Sequence, residues 1–107
     1  MIELTKENGS GYRFRVTSES GHILLNSILF SDAIMAKNVA KELPIIIAAQ
    51  NVFERKTNHE GKFLFNLKNT NAEIIGQSQL YSSEAGMENG IKNLKTRIDT
   101  IDTLKEL

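Results

Sequence analysis

The chain has 107 residues, a length that suits one small domain, and its 40% apolar and 24% charged content is ordinary for a soluble globular protein. Its 13 basic and 13 acidic side chains balance to a formal net charge of zero, which disfavours a general phosphate binder and so speaks against nucleic acid as a partner. The absence of cysteine excludes disulfides, thiolate catalysis and cysteine-ligated metals, and fits a reducing cytoplasm.

The opening MIELTKENGSGYRF brings charges at once with no apolar core segment, so it reads as a strand start and not as a signal peptide. IELTK (2–6) is a short first strand, closed by a polar turn at Glu7–Ser10. YRFRV (12–16) alternates with period two, placing Tyr12, Phe14 and Val16 on a buried face and Arg13 and Arg15 on the other. Ser20-Gly21 supplies a tight turn, and HILLNSIL (22–29) is the return strand. A helix follows, with Ser31 as its expected N-cap, Asp32 in its first turn, and Ala36, Val39, Ala40 and Leu43 on one stripe. Pro44 is expected to end it, because the residue before proline resists the α conformation. The longest apolar run, IIIAA at 45–49, falls far short of the roughly 20 residues a membrane helix needs, so no membrane association is expected.

The same order then recurs. VFERKT (52–57) is a strand, Asn58–Gly61 a polar turn, and FLFNL (63–67) a strand with Phe63, Phe65 and Leu67 facing inward. Asn71-Ala72 turns the chain, with Asn the residue that tolerates positive φ, and EIIGQSQL (73–80) returns. Ser82 is the expected cap of a second helix, with Glu84 in its first turn and Met87, Gly90, Ile91 and Leu94 on its stripe. In the tail, KTRIDTIDTLKEL, Ile98, Ile101 and Leu104 stand at spacing three. A break near Arg97 and a short final strand is the favoured reading of 96–107, with one continuous helix as the alternative.

An offset of 51 positions makes this recurrence explicit. It pairs identical residues at Glu3/Glu54, Phe14/Phe65, Ile23/Ile74, Ser27/Ser78, Leu29/Leu80, Ser31/Ser82, Asn38/Asn89, Lys41/Lys92 and Leu43/Leu94, without an insertion. The expected architecture is therefore α+β: a single domain over 1–107 made of two repeats, about 2–51 and 53–107. Each is a β-β-β-α-(β) unit. A lone three-stranded sheet with one helix is thin, whereas two units can share one antiparallel sheet with both helices on one face.

Few residues suggest chemistry. His22 and His59 lie at turns with no HxH or HxxxH spacing, which points to surface positions and away from metal ligands. Asn38 and Asn89 recur on the helices and are expected to be partly buried side chains bonded to neighbouring backbone. Ser27/Ser78 and Ser31/Ser82 come without a histidine–carboxylate pair or a GxSxG elbow and suit sheet or capping roles. The GSG at 9–11 is a loop, and Gly86 with Gly90 permits close helix–sheet approach. No catalytic, cofactor or metal residue is assigned. Arg13, Arg15, Leu64, Asn66 and Lys68 share the outer sheet face and form the candidate interaction surface. The aromatic rings face the other way and the basic stripe does not repeat, which weakens a single-stranded nucleic-acid reading.

The second unit, GKFLFNLKNTNAEIIGQSQLYSSEAGMENGI (61–91), resembles the YegP-like domain of unknown function. Matching positions are Gly61, Phe63, Phe65, Leu67, Lys68, Asn71, Ile74, Ile75, Ser78, Tyr81, Ser82, Glu88, Asn89, Gly90 and Ile91; the first unit departs at Val39, where the family has Gly. The resemblance implies repeated β-β-β-α-β units that share a sheet and exchange their last strands, either in tandem or as dimers of single units. It implies no established activity, cofactor or catalytic residue. The resulting expectation is a cytoplasmic, non-catalytic binding or interaction module, acting through its open sheet face or an edge strand. Its partner would be a protein or a small molecule, and the chain a monomer or a strand-exchanged homodimer. A cofactor-free enzyme and a weak single-stranded nucleic-acid binder are the alternatives.

Overall fold

The structure is a computed structural model that describes residues 2–7, Gly9 and 11–101. The elements follow in the order β1 (Ile2–Glu7), β2 (Gly11–Thr17), β3 (Ile23–Ser27), α1 (Ala33–Ala48), β4 (Phe53–Thr57), β5 (Phe63–Lys68), β6 (Ile74–Gln77) and α2 (Glu84–Thr100). The strands make one six-stranded sheet in the order β1-β2-β3-β6-β5-β4, antiparallel at every seam. This is the expected α+β class.

Period-two alternation explains how the sheet acquires one buried face. Phe14 and Val16 on β2, and Phe65 and Leu67 on β5, are fully buried in one cluster with Ala36, Ala40 and Leu43 of α1 and Met87, Ile91, Leu94 and Ile98 of α2. Tyr12 and Phe63 pack half-buried at its margin. Helix α1 lies on β1 and β2, α2 lies on β3 and β5, and the helices touch each other. Phe14 stacks on Phe30, and Phe65 meets Phe53 edge-on.

Geometry in the first half recurs 51 positions later. Ile2 pairs with Val16, and Phe53 pairs with Leu67. The register shifts between Val16 and Thr17, and again between Leu67 and Lys68. Tyr12 bridges Phe30, as Phe63 bridges Tyr81. The Phe14 amide donates to Ser27 Oγ at 2.9 Å, and the Phe65 amide donates to Ser78 Oγ at 2.9 Å. Both serines are buried, and each hydroxyl donates in turn to the next residue's carbonyl at 2.7 Å. They therefore complete backbone pairing where the strands depart from regular register. The halves meet at the centre of the sheet, where Asn26 faces Gln77 and Ser27 faces Gly76.

Several local expectations need correction. The N-caps are Asp32 and Ser83, each one residue later than expected, and they accept from Met35 and Gly86 amides. Pro44 lies inside α1, which continues to Ala48. An interior proline costs about 3 kcal/mol or more. Continuing the helix buries Ile46 and Ile47, worth about 1.5–3 kcal/mol each, which offsets that cost. Helix α2 does not break at Arg97 but runs to Thr100, because Ile98 is buried and the Arg97 side chain donates to the Thr17 carbonyl at 3.0 Å. The expected final strand beyond it falls largely on 102–107, outside the described residues.

The return strands end at Ser27 and Gln77, earlier than the alternation suggested. In the β5–β6 turn the positive φ belongs to Ala72 (64°), not Asn71, and its counterpart in the β2–β3 turn is Gly21 (89°). The strand after α1 is β4, an edge strand paired with β5 of its own half, so the described residues contain no exchange of terminal strands between units.

Candidate functional site

Two surfaces could carry function: the sheet face opposite the helices, and a pair of grooves at the ends of the central strands.

The outer face is polar and internally paired. Glu3, Arg15, Asn26, Gln77, Asn66 and Glu54 stand in register across all six strands. Arg15 Nε donates to Asn26 Oδ1 at 2.8 Å, Gln77 Nε2 to Asn66 Oδ1 at 2.9 Å, and Asn66 Nδ2 to Glu54 Oε1 at 3.0 Å. Lys68 Nζ binds the other Glu54 oxygen at 3.0 Å, and Arg13 pairs with Glu7 at 3.2 Å. The Asn66 amide, then the Lys68 ammonium, hold the Glu54 carboxyl below its usual range. Arg15, Asn66 and Lys68 are thus hydrogen-bonded to neighbours, whereas Arg13 meets Glu7 as an ion pair in which its Nε makes no hydrogen bond among the described residues.

Leu64 and Asn66 are not exposed, which corrects their place in an open interaction face: Leu64 is 8% and Asn66 3% accessible. Both lie on β5, flanked by β6 and β4, so neighbouring strands remove most of their area. Leu64 therefore adds little to any exposed apolar surface. His22 and His59 are both exposed. So are Asn38 and Asn89, which corrects the partly buried role expected of them. Among the described residues no three His, Cys, Asp or Glu side chains gather as a metal site, and no helix is long and apolar enough to cross a membrane.

The grooves lie where each hairpin turn faces the other half's helix. One, about 410 Å3, is bounded by Ser18, Ser20 and His22 from the β2–β3 turn, Leu24 of β3, and Gln79, Tyr81, Gly86, Asn89, Gly90 and Asn93 from the second half. The other, about 490 Å3, is bounded by Asn69 and Glu73 from the β5–β6 turn, Ile74 and Ile75 of β6, and Ile28, Leu29, Phe30, Ser31, Met35 and Val39 from the first half. The 51-position offset maps one onto the other: Gln79 onto Ile28, Tyr81 onto Phe30, Gly86 onto Met35, Gly90 onto Val39 and His22 onto Glu73. The backbone frame is shared while the chemistry differs. The first groove offers hydroxyls and amides, and the second exposes Ile28, Leu29, Met35 and Ile74, all more than 40% accessible.

The exchange of Tyr81 and Gly90 for Phe30 and Val39 is a coupled one. A Cβ on Gly90 would come within 2.1 Å of the Tyr81 hydroxyl oxygen and 2.5 Å of Cζ, so the bare helix is what admits the phenol. That hydroxyl is buried and finds no hydrogen-bond partner among the described residues. Phenylalanine at 30 has no hydroxyl to lodge, and valine stands where the other half has glycine. The diverging pairs are visible in the offset sequence, but nothing in the sequence alone says that they line a groove.

The β4–α2 contact adds one further ion pair. Arg55 Nε and Nη2 grip the Glu88 carboxylate, the latter at 3.0 Å. The hydrogen bond holds the Glu88 carboxyl low and the Arg55 guanidinium high.

A family described as a domain of unknown function, DUF1508, matches residues 58–101. The UPF0339 protein YegP of Escherichia coli O157:H7 is 34% identical over 105 residues, covering 98% of this chain and 94% of that protein. The chain belongs to the YegP family, UPF0339. A UPF0339 protein of Pseudomonas aeruginosa is 34% identical over 94 residues, 88% of this chain and 86% of that relative. Among solved structures, the solution NMR structure of yegP from E. coli, a protein of unknown function, superposes with a TM-score of 0.82 at 32% identity. It covers 90% of this chain and 83% of that one. The solution structure of a UPF0339 protein from Shewanella oneidensis gives 0.82 at 30% identity, covering 89% and 80%. The YegP family thus supplies the fold, and its members' names carry no activity.

Proposed function

We propose that this YegP-family chain is a non-catalytic, cytoplasmic binding module, one domain that arose by internal duplication of a β-β-β-α unit. Its principal contact is with a partner protein. The observation that carries this reading is the contiguous exposure of Ile28, Leu29, Met35 and Ile74 in one groove, on a chain whose outer-face charges are largely paired internally. The occupant that fits is an apolar segment with a basic residue beside it, because Glu73 lies on the rim and Asp32 flanks Ser31.

A cofactor-free enzyme has less support. Glu54, Arg55 and Glu88 are each held in their charged forms, the opposite of what proton exchange near neutrality requires. Binding across the outer face is also less supported, since a partner there would have to break Arg15–Asn26 and Asn66–Glu54.

Selection of a displayed peptide library against the full chain tests the proposal, with Leu29→Asp/Met35→Asp as the comparison. Enrichment of apolar peptides carrying Lys or Arg, lost with the double variant, is the expected outcome. Equal enrichment on both proteins, or none, overturns it. Concentration-dependent self-association abolished by the same variant would assign the groove to a second copy of the chain instead.

A further inference from the structure

The polar groove has no role in that reading, and it stands whether or not the apolar groove has a partner. We infer that the groove between the β2–β3 turn and α2 is a binding site for a neutral, hydroxyl-rich small molecule of the sugar class. Its volume of about 410 Å3 lies within the roughly 300–1,000 Å3 typical of small-molecule sites. None of the residues that bound it is Asp, Glu, Lys or Arg. The adjoining cavity that shares Ser18, Leu24 and Asn93 holds Glu19 and Arg97, which pair with each other at 3.8 Å, so a charged ligand in the groove would leave water without gaining an ion pair of its own.

An apolar ligand fits no better. Ser18, Ser20, His22, Gln79, Asn89 and Asn93 converge from both walls, and covering them without partners would cost hydrogen bonds to water. Amide side chains offer a donor and an acceptor together, which matches the dual character of a sugar hydroxyl. The carbon atoms of Leu24 and Tyr81 supply an apolar floor for the ring's C–H face. Part of the wall is already fixed: Ser18 Oγ accepts the His22 amide at 3.1 Å and lies 3.0 Å from Ser20 Oγ.

The other half of the chain supports the assignment by contrast. At the mapped positions, Gln79, Gly86 and Gly90 become Ile28, Met35 and Val39, which place larger apolar side chains along the second groove. Mapped core residues such as Ser27/Ser78 and Leu43/Leu94 stay identical. Interior pairs that do differ, such as Ala36/Met87 and Ala40/Ile91, change in size and stay apolar, whereas Gln79/Ile28 changes in polarity.

The test is a titration of the 15N-labelled full chain with glucose, galactose, N-acetylglucosamine and maltose, read by amide shifts. Glucose 6-phosphate and glucuronate serve as charged counterparts. Saturable shifts at 18–24 and 79–93 with at least one neutral sugar, at concentrations up to about 10 mM, are expected. They should weaken at least about tenfold in Gly86→Met, which installs the residue the chain itself carries at position 35. A Cβ at Gly86 meets Tyr81 Cδ1 at an ordinary 3.7 Å but Ser83 Oγ, the cap of α2, at 3.1 Å, so the cap must give by a few tenths of an ångström and a thermal melt of the variant accompanies the titration. Asn89→Ala/Asn93→Ala, at two exposed positions, is the second variant and should weaken binding similarly. Absence of saturable shifts, tighter binding of the charged sugars, or undiminished binding by both variants overturns the inference.

Discussion

Replacing Gly90 with alanine isolates the packing of Tyr81 against α2. In an exposed helix the change should stabilise by about 1 kcal/mol, since glycine is the poorer helix former. Here the new Cβ would lie 2.1 Å from the Tyr81 hydroxyl oxygen and 2.5 Å from Cζ. Restoring an ordinary contact of about 3.5 Å moves the ring by more than an ångström. The ring cannot move freely, because the Tyr81 backbone is held to Phe63 by hydrogen bonds of 2.7 and 2.8 Å. Overpacking of this kind costs about 1–3 kcal/mol, and an off-rotamer ring about 0.5–1.5 more. The net expectation for Gly90→Ala is a loss of about 0.5–3.5 kcal/mol, or about 2–15 °C in Tm for a domain of this size. Thermal and urea unfolding measure it, and a double-mutant cycle with Tyr81→Ala attributes it. In the Tyr81→Ala background the same substitution should turn neutral or stabilising. A rise in stability with Tyr81 in place would refute the packing argument.

Further outcomes follow from other contacts. Tyr81→Phe removes a buried hydroxyl without a partner, so urea unfolding should show it neutral to about 1 kcal/mol more stable. Ser27→Ala and Ser78→Ala each strand a buried amide, Phe14 or Phe65, and should each lose about 1–3 kcal/mol to a similar extent. Ala72→Gly relieves a left-handed φ of 64° and should gain about 1 kcal/mol in the same assay. Because the Glu88 carboxyl is held low, the Arg55 pair stabilises above the unfolded-state pKa and fades as pH falls through the folded one. Both partners are nearly half exposed, so screening limits the effect to below about 1 kcal/mol. Glu88→Gln should flatten the acid limb of the stability–pH curve by no more than that.

Much of the fold was legible because period-two and helical spacings place Phe14, Phe65, Leu43 and Leu94 inside without reference to tertiary detail. Three of the misses share one cause, tertiary burial overriding a local rule. Pro44 opposes helix, but Ile46 and Ile47 gain enough by continuing it. Arg97 looked like a break, yet it anchors α2 on Thr17 while Ile98 is buried. Leu64 read as an exposed exception to alternation, whereas a strand flanked on both sides leaves little of it in solvent. The grooves were hidden for a different reason. Each is assembled from both halves, so its two walls lie far apart in the chain, 18–24 against 79–93 in one groove and 28–39 against 69–75 in the other. What the sequence did display, at Gln79/Ile28 and Gly86/Met35, was the chemical difference without the shape that gives it meaning.

Where a bound segment sits decides between the apolar groove and the outer sheet face. The 15N-labelled chain with a library-selected peptide gives that position directly from amide shift changes. Perturbation confined to 28–39 and 69–75, with the amides of Arg13, Arg15, Asn66 and Lys68 unmoved, is the expected result. A footprint centred on those four residues would contradict the account.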